Sequence, residues 1–347
     1  MPGNDERTSV QTSEFTYDLP EASIAQHPIE PRDAARLLLA DTLEDRVFAD
    51  LPDVLAPGDL VVVNRTRVRR ARILGKKAET GGRVEILLLA PFGDGTWEAL
   101  VRPARRLRAG SVVEAGGLRI ELVAGPIDGV ARVALDAGGA RVEDAIHGAG
   151  RVPLPPYVHA APSDPERYQT VYATTVGSAA APTAGLHFTE QVLGRLGERG
   201  IDVAAVDLQI GVDTFRPIST ERVEDHHMHT EVFSIGEEAA AAVEAARRRG
   251  GRVVAIGTTV VRSLESAATG DGLVTPASGA TDLFITPGHR FTVVDVLVTN
   301  FHVPGSSLVV LVAAFMGDRW KEAYRAALQR GYRFLSFGDA MMASRAP

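Results

Sequence analysis

The densest set of proton-handling groups in the chain is E-D-H-H-M-H-T-E, residues 224–231. Three imidazoles lie among carboxylates there, and such neighbours tune their proton affinities near neutral pH. Acid–base work or substrate orientation is therefore the better use of these imidazoles than metal binding. In an extended segment His227 and His229 share one side, which raises the question of a metal. No H-E-x-x-H pattern or other zinc spacing completes such a site, and none is expected. A second candidate is A-A-P-T-A-G-L-H-F-T-E at 180–190, with Pro182, Thr183, Gly185 and His187 on a turn before a helix. The helix begins at Phe188 or Thr189, and its first-turn Glu190 suits the positive helix end. His187 then lies beside free backbone N–H groups, where an anionic substrate group can also sit.

Further on, I-G-V-D-T-F-R-P follows an apolar strand, so Asp213 and Thr214 fall at its C-terminal end. Open α/β sheets place ligands at such ends. In G-T-T-V-V-R-S-L-E-S-A, Gly257 makes a turn, Thr258 can cap the next helix, and Arg262 follows one turn on. The segment is too poor in glycine to cradle a phosphate, but it can grip a carboxylate or a ribose hydroxyl. N-F-H-V-P-G-S-S-L at 300–308 is a loop-to-helix junction.

Arginines form two strips. In N-R-T-R-V-R-R-A-R-I they stand at 65, 67, 69, 70 and 72. At strand period Arg65, Arg67 and Arg69 face one way and Arg70 and Arg72 the other. R-P-A-R-R-L-R at 102–108 adds Arg102, Arg105 and Arg106. One strip alone reads equally as a solvated hairpin edge or as a phosphate-facing surface. Two in one neighbourhood favour an anion-binding face, since several phosphate contacts raise affinity strongly. The formal charge of -7 argues against broad wrapping of nucleic acid.

Composition excludes other chemistry. With no cysteine there is no disulfide, thiolate nucleophile or Cys-bound metal. The phosphate-loop, dinucleotide and nucleophile-elbow signatures are absent. The most apolar stretch, 301–316, is broken by Pro304 and Gly305 and is too short to span a bilayer. The N-terminus lacks the order of a signal peptide, so a cytoplasmic enzyme with a loose N-terminal tail is expected.

The elements that must hold these groups fall into two textures. From Ile73 to about Ile146, short apolar or alternating runs separated by Gly-rich turns predict a small barrel or sandwich. Around it, strands at 60–63, 201–210, 252–256, 281–285 and 293–299 alternate with helices at 236–250, 307–316 and 320–330. The expected fold is an α/β main domain with mixed sheets plus a smaller inserted all-β barrel-like domain. The segments are 1–72, 73–147 and 148–347. Tyr168 and Tyr172 share a face if 164–172 is helical, and either stack on a base or pack.

Five strings together resemble one family: A-A-P-T-A-G-L-H-F, E-D-H-H-M-H-T-E, G-T-T-V-V-R-S-L-E-S-A, V-T-N-F-H-V-P-G-S-S-L and F-L-S-F-G-D-A-M. It is the S-adenosylmethionine:tRNA ribosyltransferase-isomerase family of queuosine biosynthesis, and the resemblance spans nearly the whole chain. It implies transfer and isomerisation of the ribosyl moiety of S-adenosylmethionine onto the aminomethyl group of a 7-deazaguanine in the tRNA anticodon. Adenine and methionine leave, S-adenosylmethionine is a co-substrate, and no tightly bound cofactor or metal is implied. By the same resemblance His187 is the first acid–base candidate, with Asp225, His226 and His229 holding or relaying protons. Thr183 and Gly185 shape the pocket, and Thr258, Thr259 and Arg262 hold the ribose or the methionine carboxylate. Asn300 and His302 face the substrate, and the arginine strips meet tRNA. A monomer is expected.

The chain departs from the family pattern at several positions. Gln209 stands where a histidine is usual and Asp213 where a glycine is usual, while Arg65, Arg70 and Thr286 also differ. Gln209 cannot act as an acid or base. These departures keep open a related transferase acting on a free 7-deazapurine or another small amine, and a non-catalytic RNA-binding homologue.

Overall fold

The computed structural model describes residues 10–160, 164–211, 217–228 and 230–346. Strands Leu60–Asn64, Val253–Ile256 and Val296–Asn300 are buried along their whole length. Runs of this kind need cover on both faces, which places them mid-sheet and favours parallel pairing. Leu60–Asn64 pairs in parallel with Asp202–Gln209 on one side and Val253–Ile256 on the other, and Val253–Ile256 pairs in parallel with Val296–Asn300. Antiparallel Glu231–Ile235 and Ala277–Thr281 extend one edge; Ala340–Ser344, Arg36–Leu39 and Glu44–Val47 extend the other, giving nine strands.

Helices cover this sheet where their sequences carry an apolar face. Glu190–Glu198 buries Val192 and Leu196 beside Phe48, Leu51 and Ile201. Its N-cap is Thr189, whose hydroxyl accepts from the Val192 amide at 3.2 Å and donates to Asp33 at 2.9 Å. Ser307–Met316 has no polar face and is buried almost throughout. The amphipathic Arg319–Gln329 packs on it.

The inserted unit is a closed ring of six strands, in the order Arg72–Lys77, Arg83–Pro91, Thr96–Arg102, Val130–Asp136, Leu118–Ile127 and Val112–Ala115. Pairing of Lys76 with Glu114 and Lys77 with Val113 closes it, so these strands leave no open sheet edge. Alternation turns Val84, Ile86, Val101, Ile120, Leu122 and Val133 into its core. Contacts divide the chain into a main unit of Met1–Arg67, Pro155–Thr175 and Ala181–Pro347, and a barrel unit of Val68–Leu154 and Val176–Ala180.

Three local expectations need correction. The strand expected at 281–285 lies earlier, at Ala277–Thr281, because the Thr281 hydroxyl accepts from the Leu283 amide at 3.2 Å and turns the chain out of the ladder. The β-rich stretch ends in a helix, Val142–Ala149, with Ile146 in the barrel core. Segment 164–172 is helical only over Pro165–Tyr168, as a 3-10 turn. Both tyrosines pack, Tyr168 edge-on to Phe337 and Tyr172 edge-on to Phe188.

Candidate active site

The parallel strands end at Asn64, Gln209, Ile256 and Asn300. Their order reverses about Leu60–Asn64, and a crevice opens at such a switch point beyond the carboxyl ends. In the main unit a cleft of about 570 Å³, open at its mouth, is lined by segments following those ends. It includes Ile210, Gly257–Thr259 and Thr299–Val303, joined by Ala181–Ala184, Tyr157, Ser306, Leu308, Leu335 and Ser336.

Gly257 is the N-cap of helix Thr258–Ser266, at φ 93°, a left-handed conformation that suits glycine. Thr258 is thus the first helical residue and not the cap. The first amides of a helix have no intrahelical acceptor, and Thr258 and Thr259 supply two of them at the cleft wall. Asn64 braces this corner: its amide donates to Leu208 O at 3.0 Å and its oxygen accepts from the Leu208 amide at 3.2 Å.

Asn300 is fixed on every side. Its Nδ2 donates to Leu335 O at 3.2 Å and Asp339 O at 3.3 Å, and reaches His187 Nε2 at 3.3 Å. Its Oδ1 accepts from the Thr183 hydroxyl at 3.0 Å. The two Nδ2–H groups are shared among these three acceptors, and the one turned to Nε2 meets its lone pair, which puts the proton of neutral His187 on Nδ1. His187 is buried, and its pKa is pushed down to about 3 by burial first, then by the charges of Arg333, Arg167 and Arg32. His302 is likewise pushed down to about 3 by burial, with Nε2 3.0 Å from the Thr299 hydroxyl. Both imidazoles are neutral at pH 7, and the described residues lining the cleft carry no formal charge. Hydroxyls, one amide and apolar walls suit a nucleoside-like ligand. The Ser306 hydroxyl is buried in the wall with no hydrogen-bond partner among the described residues.

The sequence-derived candidates divide accordingly. Thr183, Thr258, Thr259, Asn300 and His302 line the cleft, and His187 lies directly behind Asn300. Gly185 does not line it but admits Tyr172: a Cβ there would lie 2.1 Å from the Tyr172 hydroxyl oxygen. Arg262 is buried away from the cleft, ion-paired with Glu231 and donating to Leu283 O at 3.0 Å, and Glu231 in turn accepts from the Gly211 amide at 2.9 Å. That buried pair braces the chain leaving strand Asp202–Gln209, and its guanidinium is not turned to the cleft. Gln209 ends that strand and does not line the cleft. Asp225 is exposed on the turn Val223–Asp225, and His226 packs edge-on to Phe284; neither lines the cleft. Asp213, Thr214 and His229 lie outside the described residues. Thr286 forms a turn, its carbonyl accepting from the His289 amide at 3.0 Å. Tyr157, Ser306 and Ser336 were missed by the residue-by-residue reading, although Ser306 and Ser336 stand inside strings that carry the resemblance.

The arginines separate by partner. Arg65 pairs with Asp207 at 3.1 Å and Arg67 with Glu166 at 2.6 Å. Within the barrel unit Arg69 pairs with Glu143 at 3.3 Å and Arg72 with Glu85 at 2.8 Å. Arg102, Arg105 and Arg106 are exposed and have no carboxylate partner among the described residues. Among the described residues no three His, Cys, Asp or Glu side chains are grouped to hold a metal, and no helix is long and apolar enough to cross a membrane.

Sheet and cleft define a ligand-binding α/β protein with a closed β-barrel inserted in the same chain. A family model described as "Queuosine biosynthesis protein" matches residues 12–343. The S-adenosylmethionine:tRNA ribosyltransferase-isomerase of Symbiobacterium thermophilum is 49% identical over 339 residues, covering 96% of this chain and 99% of the relative. That of Anaeromyxobacter sp. strain Fw109-5 is 51% identical over 346 residues, covering 97% and 100%. The crystal structure of the S-adenosylmethionine tRNA ribosyltransferase from Thermotoga maritima is 35% identical, with a TM-score of 0.54 over 95% of this chain and 100% of that one. The chain belongs to the S-adenosylmethionine:tRNA ribosyltransferase-isomerase family of queuosine biosynthesis, and it is an enzyme.

Proposed function

We propose that the protein transfers and isomerises the ribosyl moiety of S-adenosylmethionine onto the aminomethyl group of 7-aminomethyl-7-deazaguanine at the wobble position of a tRNA. The products are epoxyqueuosine-tRNA, adenine and methionine. The observation that carries the reading is the convergence of four family strings on one cleft. They contribute Ala181–Ala184, Gly257–Thr259, Thr299–Val303 with Ser306 and Leu308, and Leu335–Ser336.

The sulfonium of the co-substrate acidifies the C5′ hydrogens, so a base can form a stabilised carbanion, and adenine departs with a proton delivered to its ring. Geometry nominates the pair Asn300–His187 for positioning or proton transfer at that step, because the amide fixes which imidazole nitrogen holds the proton. Ser306 and the Thr258 and Thr259 amides offer donors to ribose oxygens, and fixed donors hold reacting atoms in line. The exposed strip Arg102, Arg105 and Arg106 offers charge to the tRNA backbone. A tRNA substrate puts the reaction in the cytoplasm.

Adenine release from S-adenosylmethionine tests this reading, with deazaguanine-containing anticodon RNA, free 7-aminomethyl-7-deazaguanine or no acceptor. Release only with the RNA, together with a mass gain on it, is the expected result. Release only with the free base would move the enzyme to a small-molecule acceptor. RNA binding without release in any arm would sink the catalytic reading.

A further inference from the structure

The main cleft can hold a nucleoside, but its described lining carries no cation, whereas S-adenosylmethionine ends in an α-carboxylate. A second, much smaller cleft abuts it in the same unit. The two share Ser336, and His187 in the second bonds to Asn300 in the first at 3.3 Å. Arg32 and Arg167 line this second cleft between apolar walls that include Pro28, Leu186 and Phe337.

These two arginines are incompletely satisfied. Arg32 donates only to backbone carbonyls, those of Gln169 at 2.8 Å, Leu186 at 3.3 Å and Glu166 at 3.0 Å. Arg167 donates from Nε to Glu30 and from Nη2 to Ile29 O at 2.8 Å, and its buried Nη1 has no hydrogen-bond partner among the described residues. Their charges oppose one another, lowering the Arg32 pKa after the larger effect of burial, and Arg333 adds to the positive field on His187. Nδ1 of His187 has no partner among the described residues either, and in the neutral tautomer it carries a proton. A free guanidinium N–H, a second guanidinium and an imidazole N–H about one small cleft form a receptor for an oxyanion. Enclosure by Pro28, Leu186 and Phe337 suits the end of a small molecule better than a polynucleotide backbone.

We propose that this second cleft binds the α-carboxylate of the methionine arm of S-adenosylmethionine, with Arg167 and Arg32 as its cationic partners. The inference rests on the function proposed above and adds a site for the far end of the same substrate. Calorimetry on the wild-type protein with S-adenosylmethionine and with its decarboxylated counterpart is the first test, since it needs no altered side chain. Binding at least tenfold tighter for the carboxylate-bearing ligand is expected. Arg167→Met should then weaken S-adenosylmethionine at least tenfold and leave the decarboxylated ligand within twofold. Equal affinity of the wild type for both ligands overturns the carboxylate site and leaves the proposed reaction standing. Failure of both ligands to bind overturns both readings. If Arg167→Met spares S-adenosylmethionine but weakens tRNA and lowers its salt dependence, the cleft takes a phosphate and the proposal is wrong.

Discussion

Replacing Asn300 with leucine keeps most of the side-chain volume and removes both amide donors. Of its two carbonyl partners, Leu335 O keeps the Gly338 amide at 2.9 Å, whereas Asp339 O loses the donor now at 3.3 Å. A buried acceptor left unpaired costs about 1–3 kcal/mol. Water from the adjoining cleft can reach part of this site, so the loss should be about 1–2 kcal/mol, below the full term for a dry acceptor. The chain has two tryptophans, Trp97 in the barrel unit and Trp320 buried in the main unit. Urea unfolding followed by fluorescence in a Trp97→Phe background therefore reports the main unit alone. A change below about 0.5 kcal/mol, the usual range for surface substitutions, would refute the claim that the amide satisfies the Asp339 carbonyl. Adenine release by the folded variant should fall by roughly 100-fold, because His187 loses the contact that sets its tautomer. The stability loss without any loss of release would leave Asn300 a purely structural residue.

Gly185→Ala should lose about 1–3 kcal/mol, since its Cβ would sit 2.1 Å from the Tyr172 hydroxyl oxygen and 2.8 Å from Thr170 Cγ2. Tyr172→Phe should recover part of that loss and be neutral or stabilising alone, because its buried hydroxyl has no partner among the described residues; thermal melts of the four proteins decide this. Unfolded imidazoles bind protons near pH 6.5, while His187 and His302 resist them until about 3. Their folded pKa values are depressed, so stability is full above about pH 6.5 and falls as pH drops toward 3, by up to about 1.4 kcal/mol per pH unit for each histidine. His187→Gln should remove about half of that paired slope in urea midpoints measured across pH. Arg105→Ala and Arg106→Ala should each lower the salt dependence of tRNA binding by about one unit in a log–log plot, read by titration, and leave stability unchanged. Ser306→Ala should leave stability within about 0.5 kcal/mol, since it removes an unpartnered hydroxyl, while raising the KM for S-adenosylmethionine.

Much of the scaffold was legible locally. Buried strands such as Val253–Ile256 announce themselves by runs of apolar, mostly β-branched residues, and Ser307–Met316 by an apolar surface without a polar face. The six barrel strands follow from period-two burial between glycine turns, because a sheet with one wet face must alternate. The strand at 281–285 misled because its apolar residues serve a turn, where a hydroxyl competes with the ladder for the Leu283 amide. Thr258 misled similarly: Gly257 in the left-handed region takes the cap position and leaves the threonine helical.

For the site, the sequence determined which residue types were present and in which strings, and so the family. It fixed Thr183, Thr258 and Asn300 as candidates because each stands at a turn or strand end that local sequence can mark. Only the tertiary structure decided which of them meet. Asn300 and His187 are 113 positions apart, and a side chain at the end of a parallel strand finds its neighbours through sheet order, which is not written in local sequence. The same non-locality withdraws Arg262 into an ion pair with Glu231 and ties Arg65 to Asp207. It also brings Arg32 and Arg167 from opposite ends of the barrel insertion to one cleft beside His187. An arginine in a sequence is only a charge; whether it is free depends on which carboxylate the fold carries to it.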